Sequence, residues 1–518
     1  MRTKNSLLNM AASFFGQIIS ALLSIVNRVV FLKYLNVEYM GINTLFASII
    51  SIITLVELGI GSAISVKLYK PIAQNDQKKI SAYMNVYKKY YIVISFIIFV
   101  VGLFVCPIAY YLANDMIHSK DIIIIYFIYL ISTSLNYLFI YNHAIISANQ
   151  KQYINAAYSN IGYIIQCVIQ LFVLCFYKNF VLYIFVKLFG QLFINIAISV
   201  KAEKMYSYLK IYKKEKLNDE ENRKIKSDIK SIGIRKICNT VNENINTLMI
   251  SYIAGVSLVG MMSNYTTIIG HVKNIISSIY SSFSASVGDL MTEDDDENKY
   301  KIFNILNFII CLIFGYFAIG ILFLSNDFIK VLLDKKYIIE NNLIILLTLT
   351  FYINGRMQIV SIYRNSISLF KKNRYIPFFE LLIGIVISLI LMNWIGVSGI
   401  LIGALVGVLS TTFVFEPYNL FKYGFKYDYI NRTKNYIKNF FKDMIFLFIV
   451  IIICYPLINI DVANVFIFIL KGIIYTLIFS LIVFLYYRKD KNFTESYQIL
   501  IYLKDKVIEK YKINKKIS

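Results

Sequence analysis

Apolar runs long enough to cross a membrane recur along the whole chain, and Lys and Arg collect in alternate gaps between them. As a helix rising about 1.5 Å per residue, each run covers the ~30 Å hydrocarbon layer of a bilayer. The runs lack the two-residue alternation of an outer-membrane barrel. The sequence therefore predicts an all-α polytopic membrane protein with about 14 transmembrane helices. The runs lie near residues 10–32, 41–66, 91–112, 122–146, 154–176, 180–200, 234–254, 257–288, 302–324, 343–363, 376–393, 395–415, 443–459 and 464–487.

The distribution of positive charge predicts the orientation. An even number of spans places both termini on one side of the membrane. On that side lie six Lys between residues 67 and 89, the basic stretch 201–236 and the tail that begins at Arg488, whereas the opposite gaps contain six Lys in all. Under the positive-inside rule, both termini are cytoplasmic.

Composition excludes several classes of protein. A hydrophobic fraction of 58% excludes an ordinary soluble domain of 518 residues. The net charge of +23 is explained by topology, so we expect anionic lipid headgroups as its partner and no nucleic acid. The six cysteines have neither CxxC nor Cys/His spacing and are predicted to be small core residues. We therefore expect no metal and no cofactor.

A Lys- and Glu-rich stretch divides the chain into similar halves. The predicted parts are an N-lobe of six spans (1–200), a cytoplasmic linker (201–232), a C-lobe of six spans (233–421), two extra helices (440–487) and a basic cytoplasmic tail (488–518). The segment Val37 to Gly41 (VEYMG) is echoed by Val256 to Gly260 (VSLVG). Two parallel six-helix lobes around a central cavity would be a transporter arrangement, although a five-residue echo also arises by chance.

Polar side chains recur at spacings of three and four within several spans. Because a helix that contacts only lipid has no need of such a stripe, each stripe either lines a watery cavity or joins two helices. The candidate lining residues are Gln17, Ser24 and Asn27 in the first span, Asn239, Asn242 and Asn246 in the seventh, Asn274 in the eighth, and Asn354 and Gln358 in the tenth.

Ionisable residues within the spans indicate the charge of the substrate. A charge inside the bilayer costs on the order of 3 kcal/mol unless it meets water or a partner. The basic candidates for binding an anionic headgroup are Arg28, Lys273, Arg235 and Arg356. For Arg235 the alternative is a positive charge that only sets the membrane topology. For Arg356 the alternative is a contact between two helices. Lys187 and Lys471 lie near helix ends and are predicted to reach the interface. Glu57 and Glu243 are candidates for ion coupling or for structural pairing.

Several segments resemble bacterial oligosaccharide flippases of the Wzx type, also called polysaccharide biosynthesis proteins. They are residues 31–46 (FLKYLNVEYMGINTLF), 57–63 (ELGIGSA) and 68–73 (LYKPIA), with a looser match at 396–400 (GVSGI). The resemblance implies the fold of the multidrug/oligosaccharidyl-lipid/polysaccharide exporter superfamily, with basic residues on the first and eighth helices that correspond to Arg28 and Lys273.

The resemblance also implies a function. The expected substrate is an undecaprenyl-pyrophosphate-linked oligosaccharide repeat unit, moved from the inner to the outer leaflet of the bacterial plasma membrane. The polymerase and glycosyltransferases of the same pathway are expected partners. No Walker A motif or nucleophile elbow is present, so we predict no enzymatic activity.

Three rival functions stay open at this point. A cation-coupled multidrug antiporter would place carboxylates in its cavity. A membrane polysaccharide polymerase or glycosyltransferase would carry catalytic residues on an outer loop. A scaffold of the envelope assembly machinery would transport nothing.

Overall fold

The structure is a computed structural model, which describes residues 2–113, 119–281, 283–367, 369, 372–425, 427–496 and 498. The part of the predicted basic tail after residue 498 lies outside the described residues. Every regular element within these ranges is a helix, which confirms the predicted all-α class.

The chain forms long helices joined by short connections. They are α1 (Arg2–Tyr34), α2 (Val37–Ile53), α3 (Ile60–Ala73), α4 (Gln77–Ala113), α5 (Ser119–Ile140), α6 (His143–Ala148), α7 (Gln152–Phe176), α8 (Phe180–Met205), α9 (Tyr208–Ile211), α10 (Asp219–Ser281), α11 (Phe283–Leu290), α12 (Asp296–Leu332), α13 (Asn341–Ser366), α14 (Ile376–Ile395), α15 (Val397–Ser410), α16 (Thr412–Gly424), α17 (Tyr429–Cys454) and α18 (Val465–Tyr487).

The predicted number of spans is confirmed. Thirteen helical segments of the described chain are long and apolar enough to cross a membrane, and the one at Arg235–Ser278 contains two spans. Gly255 interrupts it with φ 73° and ψ 173°, a conformation that is open almost exclusively to glycine. We therefore treat α10 as α10a (residues 219–254) and α10b (residues 256–281), so that fourteen passes result.

The second span is broken in its middle. A short 3₁₀ turn at Thr54–Glu57 follows α2, and Leu58 and Gly59 then both adopt left-handed backbone angles before α3 begins. Two successive left-handed residues cannot continue a right-handed helix. The second span therefore bends at this point, and the bend frees backbone donors for side-chain contacts.

Two compact units make up the chain. Unit 1 contains Met1–Ser278 and Asn373–Ser410, and unit 2 contains Ile279–Lys372 and Thr411–Ser518. These boundaries differ from the predicted lobes at 1–200 and 233–421. The division into six-helix lobes therefore stays a prediction.

Within unit 2, a buried ion pair joins α13 to α17. The Arg356 side chain has no exposed surface, and its guanidinium donates to the Asp443 carboxylate while lying over the rings of Tyr436 and Phe440. Tyr487 donates to the other oxygen of Asp443 at 3.0 Å. An ion taken out of water needs a close partner of opposite charge, and Asp443 neutralises the Arg356 charge inside the protein.

Two further cations of unit 2 are neutralised in the same way. Arg364 donates to both carboxylate oxygens of Glu416, at 2.6 and 2.7 Å. Lys471, which we predicted to reach the interface, is buried and instead pairs with Asp327 at 2.6 Å. The interior of unit 2 therefore matches these three cations with carboxylates.

We expect the change Asp443→Leu to lower the free energy of unfolding by about 3–5 kcal/mol, because it leaves the Arg356 charge buried and unpaired. The double change Arg356→Met and Asp443→Leu should recover most of that loss, since it removes both charges. Thermal unfolding of the purified protein in detergent measures this, with Lys438→Gln as a surface control. An Asp443→Leu variant that melts at the wild-type temperature would contradict the assignment.

Candidate functional site: a polar seam in unit 1

Arg28 joins the first span to the eighth. Its guanidinium donates to the Ser263 carbonyl at 2.5 Å, to the Ser263 hydroxyl at 3.1 Å and to the Thr267 hydroxyl at 2.8 Å. Both residues lie on α10b, one turn apart. All three acceptors are neutral, so the positive charge of Arg28 is solvated by these contacts and not cancelled.

A polar cleft of about 300 Å³ lies further along the same two helices, beside α7. Gly16, Gln17 and Ser20 of α1, Ala156 and Asn160 of α7, and His271 and Asn274 of α10b line it. From Gln17 to Arg28 the helix rises about 16 Å, roughly half of the hydrocarbon thickness. We call this strip the polar seam: Gln17, Ser20, Ser24 and Arg28 on α1, and Ser263, Thr267, His271 and Asn274 on α10b.

Water or a polar ligand is needed inside the cleft. The Gln17 Oε1 and His271 Nε2 atoms are buried, and among the described residues neither has a hydrogen-bond partner. Buried polar atoms without a protein partner require water or a ligand, and a cleft of this volume has room for several water molecules. The cleft therefore offers polar atoms and room for water or a polar ligand within the membrane-spanning part of unit 1.

Hydrogen bonds of the neighbouring residue Asn27 hold Arg28 in position. Asn27 donates to Gln170 at 3.1 Å and accepts from the Tyr183 hydroxyl at 2.9 Å. Both contacts hold the helix turn that carries Arg28 against α7 and α8. Asn27, predicted to line the cavity, is buried and contributes to positioning.

A second cation lies in this part of unit 1. Lys187 of α8, predicted to reach the interface, donates to the Asn43 side chain at 2.7 Å, and Tyr129 donates to the same oxygen at 2.6 Å. Like Arg28, Lys187 is held by a neutral oxygen. Sequence reasoning missed it because distance from the helix end was the only signal used.

The remaining predicted basic residues are placed differently. Lys273 is exposed and lies next to Asn274, which lines the cleft. Arg235 is half-buried near the start of the seventh span. Arg356 is fully buried against Asp443 in unit 2, so the structure favours the helix contact over the headgroup role that we predicted.

The polar residues predicted in the seventh and tenth spans differ in their exposure and contacts. Asn239 and Glu243 are exposed on α10a, and Asn246 is half-buried. In α13, Asn354 is exposed, and Gln358 donates to its carbonyl at 3.3 Å. Their cavity-lining role and the ion-coupling role of Glu243 stay predictions.

Asn242 contacts a carboxylate that the sequence reading missed. Its amide donates to the Glu380 side chain of α14 at 2.6 Å. Glu380 lies one turn into the eleventh span, where a charge is easily mistaken for a topology signal. A carboxylate and an amide oxygen are suitable ligands for a cation, although the described residues contain no group of three or more His, Cys, Asp and Glu that could hold a metal ion.

Glu57 lies at the break in the second span and is heavily bonded. It accepts from the Tyr91 hydroxyl at 2.6 Å, from the Lys236 ammonium at 2.5 Å and from the Gly61 backbone at 3.2 Å. The Gly61 N–H is one of the donors that the helix break leaves unused. This carboxylate therefore stabilises the start of α3 and ties it to α4 and α10a, which favours the structural pairing that we considered beside ion coupling.

We expect Glu57→Gln and Lys236→Gln to be coupled. Both side chains are partly exposed, so a double-mutant cycle on thermal stability should give an interaction of about 1 kcal/mol. Glu57→Gln should be the more destabilising single change, since it also weakens the bonds from Tyr91 and Gly61. Additive effects of the two changes would exclude the ion pair.

No protein-family model matches the sequence, and no curated protein matches it. Solved structures, in contrast, are similar over almost the whole chain. The lipid II flippase MurJ in an inward closed conformation superposes with a TM-score of 0.66 at 17% identity, covering 93% of this chain and 99% of MurJ.

Two transporters of the MOP superfamily are also similar. An inward-facing multidrug resistance MATE family transporter of the MOP superfamily gives a TM-score of 0.60 at 10% identity and covers 83% of this chain and 99% of its own. A MOP superfamily transporter from Pyrococcus furiosus, whose binding pocket has reversed polarity, gives a TM-score of 0.57 at 12% identity. The match covers 82% of this chain and 95% of that transporter. At these identities the comparisons establish the fold of a multi-pass membrane protein.

Proposed function

We propose that this chain, which has the fold of the MurJ flippase and the MATE transporters, is a flippase for a lipid-linked oligosaccharide. It would move an undecaprenyl-pyrophosphate-linked repeat unit from the inner to the outer leaflet of a bacterial plasma membrane, for surface polysaccharide synthesis. It is a transporter and not an enzyme, it works by alternating access, and both of its termini are cytoplasmic. Membrane lipids surround it, and the polymerase and glycosyltransferases that handle the same substrate are its functional partners.

The observation that carries this proposal is Arg28, which donates to neutral oxygens of α10b on the same two helices that line the polar cleft. A diphosphate with sugars cannot enter hydrocarbon, because each unsatisfied polar group costs several kcal/mol there. A polar strip beside the lipid offers it water and hydrogen bonds while the polyprenyl tail stays in the bilayer. The sign of the charge favours an anionic headgroup.

The guanidinium of Arg28 has the right chemistry for a diphosphate. It carries five N–H donors in a planar fork that matches phosphate oxygens, and the contacts to Ser263 and Thr267 occupy three of them. Lys273, one residue from the cleft, would supply a second positive charge at a different depth. Arg235 remains a candidate for the cytoplasmic mouth.

A close helix crossing within unit 1 supports alternating access. At Gly41 of α2 an added Cβ would lie 1.8 Å from the Val256 carbonyl, and at Gly260 of α10b it would lie 2.2 Å from the Val37 carbonyl. Ser257 also donates to Glu38 at 3.1 Å. The charge bias places this crossing at the outer surface, so we interpret it as the closed outer end of the passage.

A cation-coupled multidrug antiporter is the second candidate function. The contact of Asn242 with Glu380 favours it, since a carboxylate within the membrane can bind a cation or a proton. The same contact also suits a flippase that uses an ion gradient. The charge of the transported molecule therefore distinguishes the two functions, and ion dependence alone does not.

We expect Arg28→Ala to lower the rate of flipping at least tenfold, on the order of the loss of one charge-assisted hydrogen-bond pair. Lys273→Ala should lower it less, because an ammonium contributes a point charge without the fork. Arg28→Lys should retain part of the activity. The assay uses the purified protein in vesicles with a fluorescent polyprenyl-pyrophosphate oligosaccharide, whose exposure on each leaflet is read by a membrane-impermeant quencher.

The control for this experiment is Lys438→Gln, a change at an exposed lysine of unit 2. Wild-type flipping by both alanine variants would reject the role of these two cations. Efflux of a cationic drug, with no movement of the lipid-linked sugar, would support the antiporter.

We expect Gly41→Leu to prevent the crossing from closing, because its side chain would overlap the Val256 backbone. Gly288→Leu in α11 is the control outside the seam, since a Cβ there also meets nothing within 4 Å. The probe is Met262→Cys in a background without the native cysteines. Labelling from outside by an impermeant maleimide should rise several-fold for Gly41→Leu and flipping should fall, whereas Gly288→Leu should change neither. Unchanged labelling would show that the crossing is not a gate.

A further inference from the structure

A large cavity lies at the cytoplasmic end of α4, away from the polar seam. It has a volume of about 1200 Å³, and the middle part of the linker, residues 213–223, lies along it. Five basic residues and two acidic residues line it. The basic residues are Lys89, Lys213, Lys214, Lys216 and Arg223.

The linker is fixed in place at this cavity. Asn85 of α4 donates to the Tyr212 carbonyl at 3.1 Å and to the Glu215 carbonyl at 3.0 Å. Lys79, two turns earlier on the same helix, pairs with Glu221 at 2.6 Å. These contacts attach both ends of the linker segment to α4, so the basic side chains converge on a formed cavity.

The wall of the cavity is basic on the linker side and becomes apolar where α4 enters the membrane. On α4, Asn85, Val86, Lys89 and Tyr90 line it, and Val93 lines it one turn further into the span. Beyond Val93, on the same helix face, Phe96 is 68% exposed. Because this helix is a membrane span, an exposed face at this position contacts lipid chains.

We propose that this cavity binds the phosphate headgroup of a membrane lipid in the cytoplasmic leaflet. The ligand class follows from the two-part wall: clustered Lys and Arg bind phosphate oxygens, and the adjoining apolar face accommodates the hydrocarbon chain. A free phosphate would use the first part alone. The site is separate from the seam, so lipid binding here does not depend on the proposed transport function.

Native mass spectrometry of the full chain in detergent tests the proposal, with titrations of phosphatidylglycerol, phosphatidylcholine and inorganic pyrophosphate. We expect the protein to prefer phosphatidylglycerol. A variant with Lys89→Gln, Lys213→Gln, Lys214→Gln and Lys216→Gln should bind it more than about tenfold more weakly, because each of the four basic residues contributes to binding an anionic headgroup.

A matched control removes the same number of charges elsewhere. The control variant carries Lys434→Gln, Lys438→Gln, Lys489→Gln and Lys491→Gln, all at exposed positions of unit 2, and it should bind as the wild type does. Equal weakening of the two variants would overturn the proposal, because it would mean that surface charge alone attracts the lipid.

A second variant tests the built cavity without changing its charge. Asn85→Ala removes the two bonds that hold the linker and should weaken binding several-fold, with melting temperatures recorded to exclude unfolding. If Asn85→Ala and the four-lysine variant both bind as the wild type does, the cavity is not a lipid site. Inorganic pyrophosphate that binds as tightly as phosphatidylglycerol would overturn the assignment to a lipid, since the tail would then contribute nothing.

Discussion

A charge inside a membrane must be cancelled by an opposite charge or solvated, and both solutions occur in this chain. In unit 2, Arg356, Arg364 and Lys471 are each paired with a carboxylate. In unit 1, Arg28 and Lys187 are held by hydroxyl, carbonyl and amide oxygens. A carboxylate partner neutralises the cation and accepts its hydrogen bonds, so the pair stabilises the fold. A neutral partner leaves the field of the cation intact, which is the condition for attracting an anion.

The spans were predictable from the sequence because length and apolarity are local properties, and the fourteen passes follow from them. Partners were not predictable. Asp443 is 87 residues from Arg356, and only packing brings the two together. Arg356 lay off the polar stripe of its helix, which was the one available sign of a helix contact. Lys187 was predicted to reach the interface because it lies near the end of its helix. That rule takes no account of hydrogen-bond acceptors on a neighbouring helix, and here Asn43 is such an acceptor.

The weak sequence echo between the halves has a physical explanation in the helix crossing of unit 1. Gly41 and Gly260 occupy equivalent places in the two echoed segments, and each lies against the backbone of the other segment. Neither position has room for a side chain. Five matching residues in apolar sequence indicate little by themselves, but reciprocal contact gives both glycines the same reason to be there. The assignment of this crossing to the outer surface follows from the distribution of positive charge among the loops.

The neutral partners of Arg28 also bear on how a transported anion could be released. If Arg28 were paired with a carboxylate, a phosphate would have to displace an equal charge, and binding would be weak. If Arg28 had no partner, release would leave a bare charge in the membrane, and the anion would be held too tightly. Ser263 and Thr267 lie between these extremes, because they stabilise the guanidinium at modest cost when the anion leaves. If the proposed function is right, the site must leave Arg28 accessible to the anion and must also be stable when it is empty, and the hydroxyl-bearing turn of α10b meets both requirements.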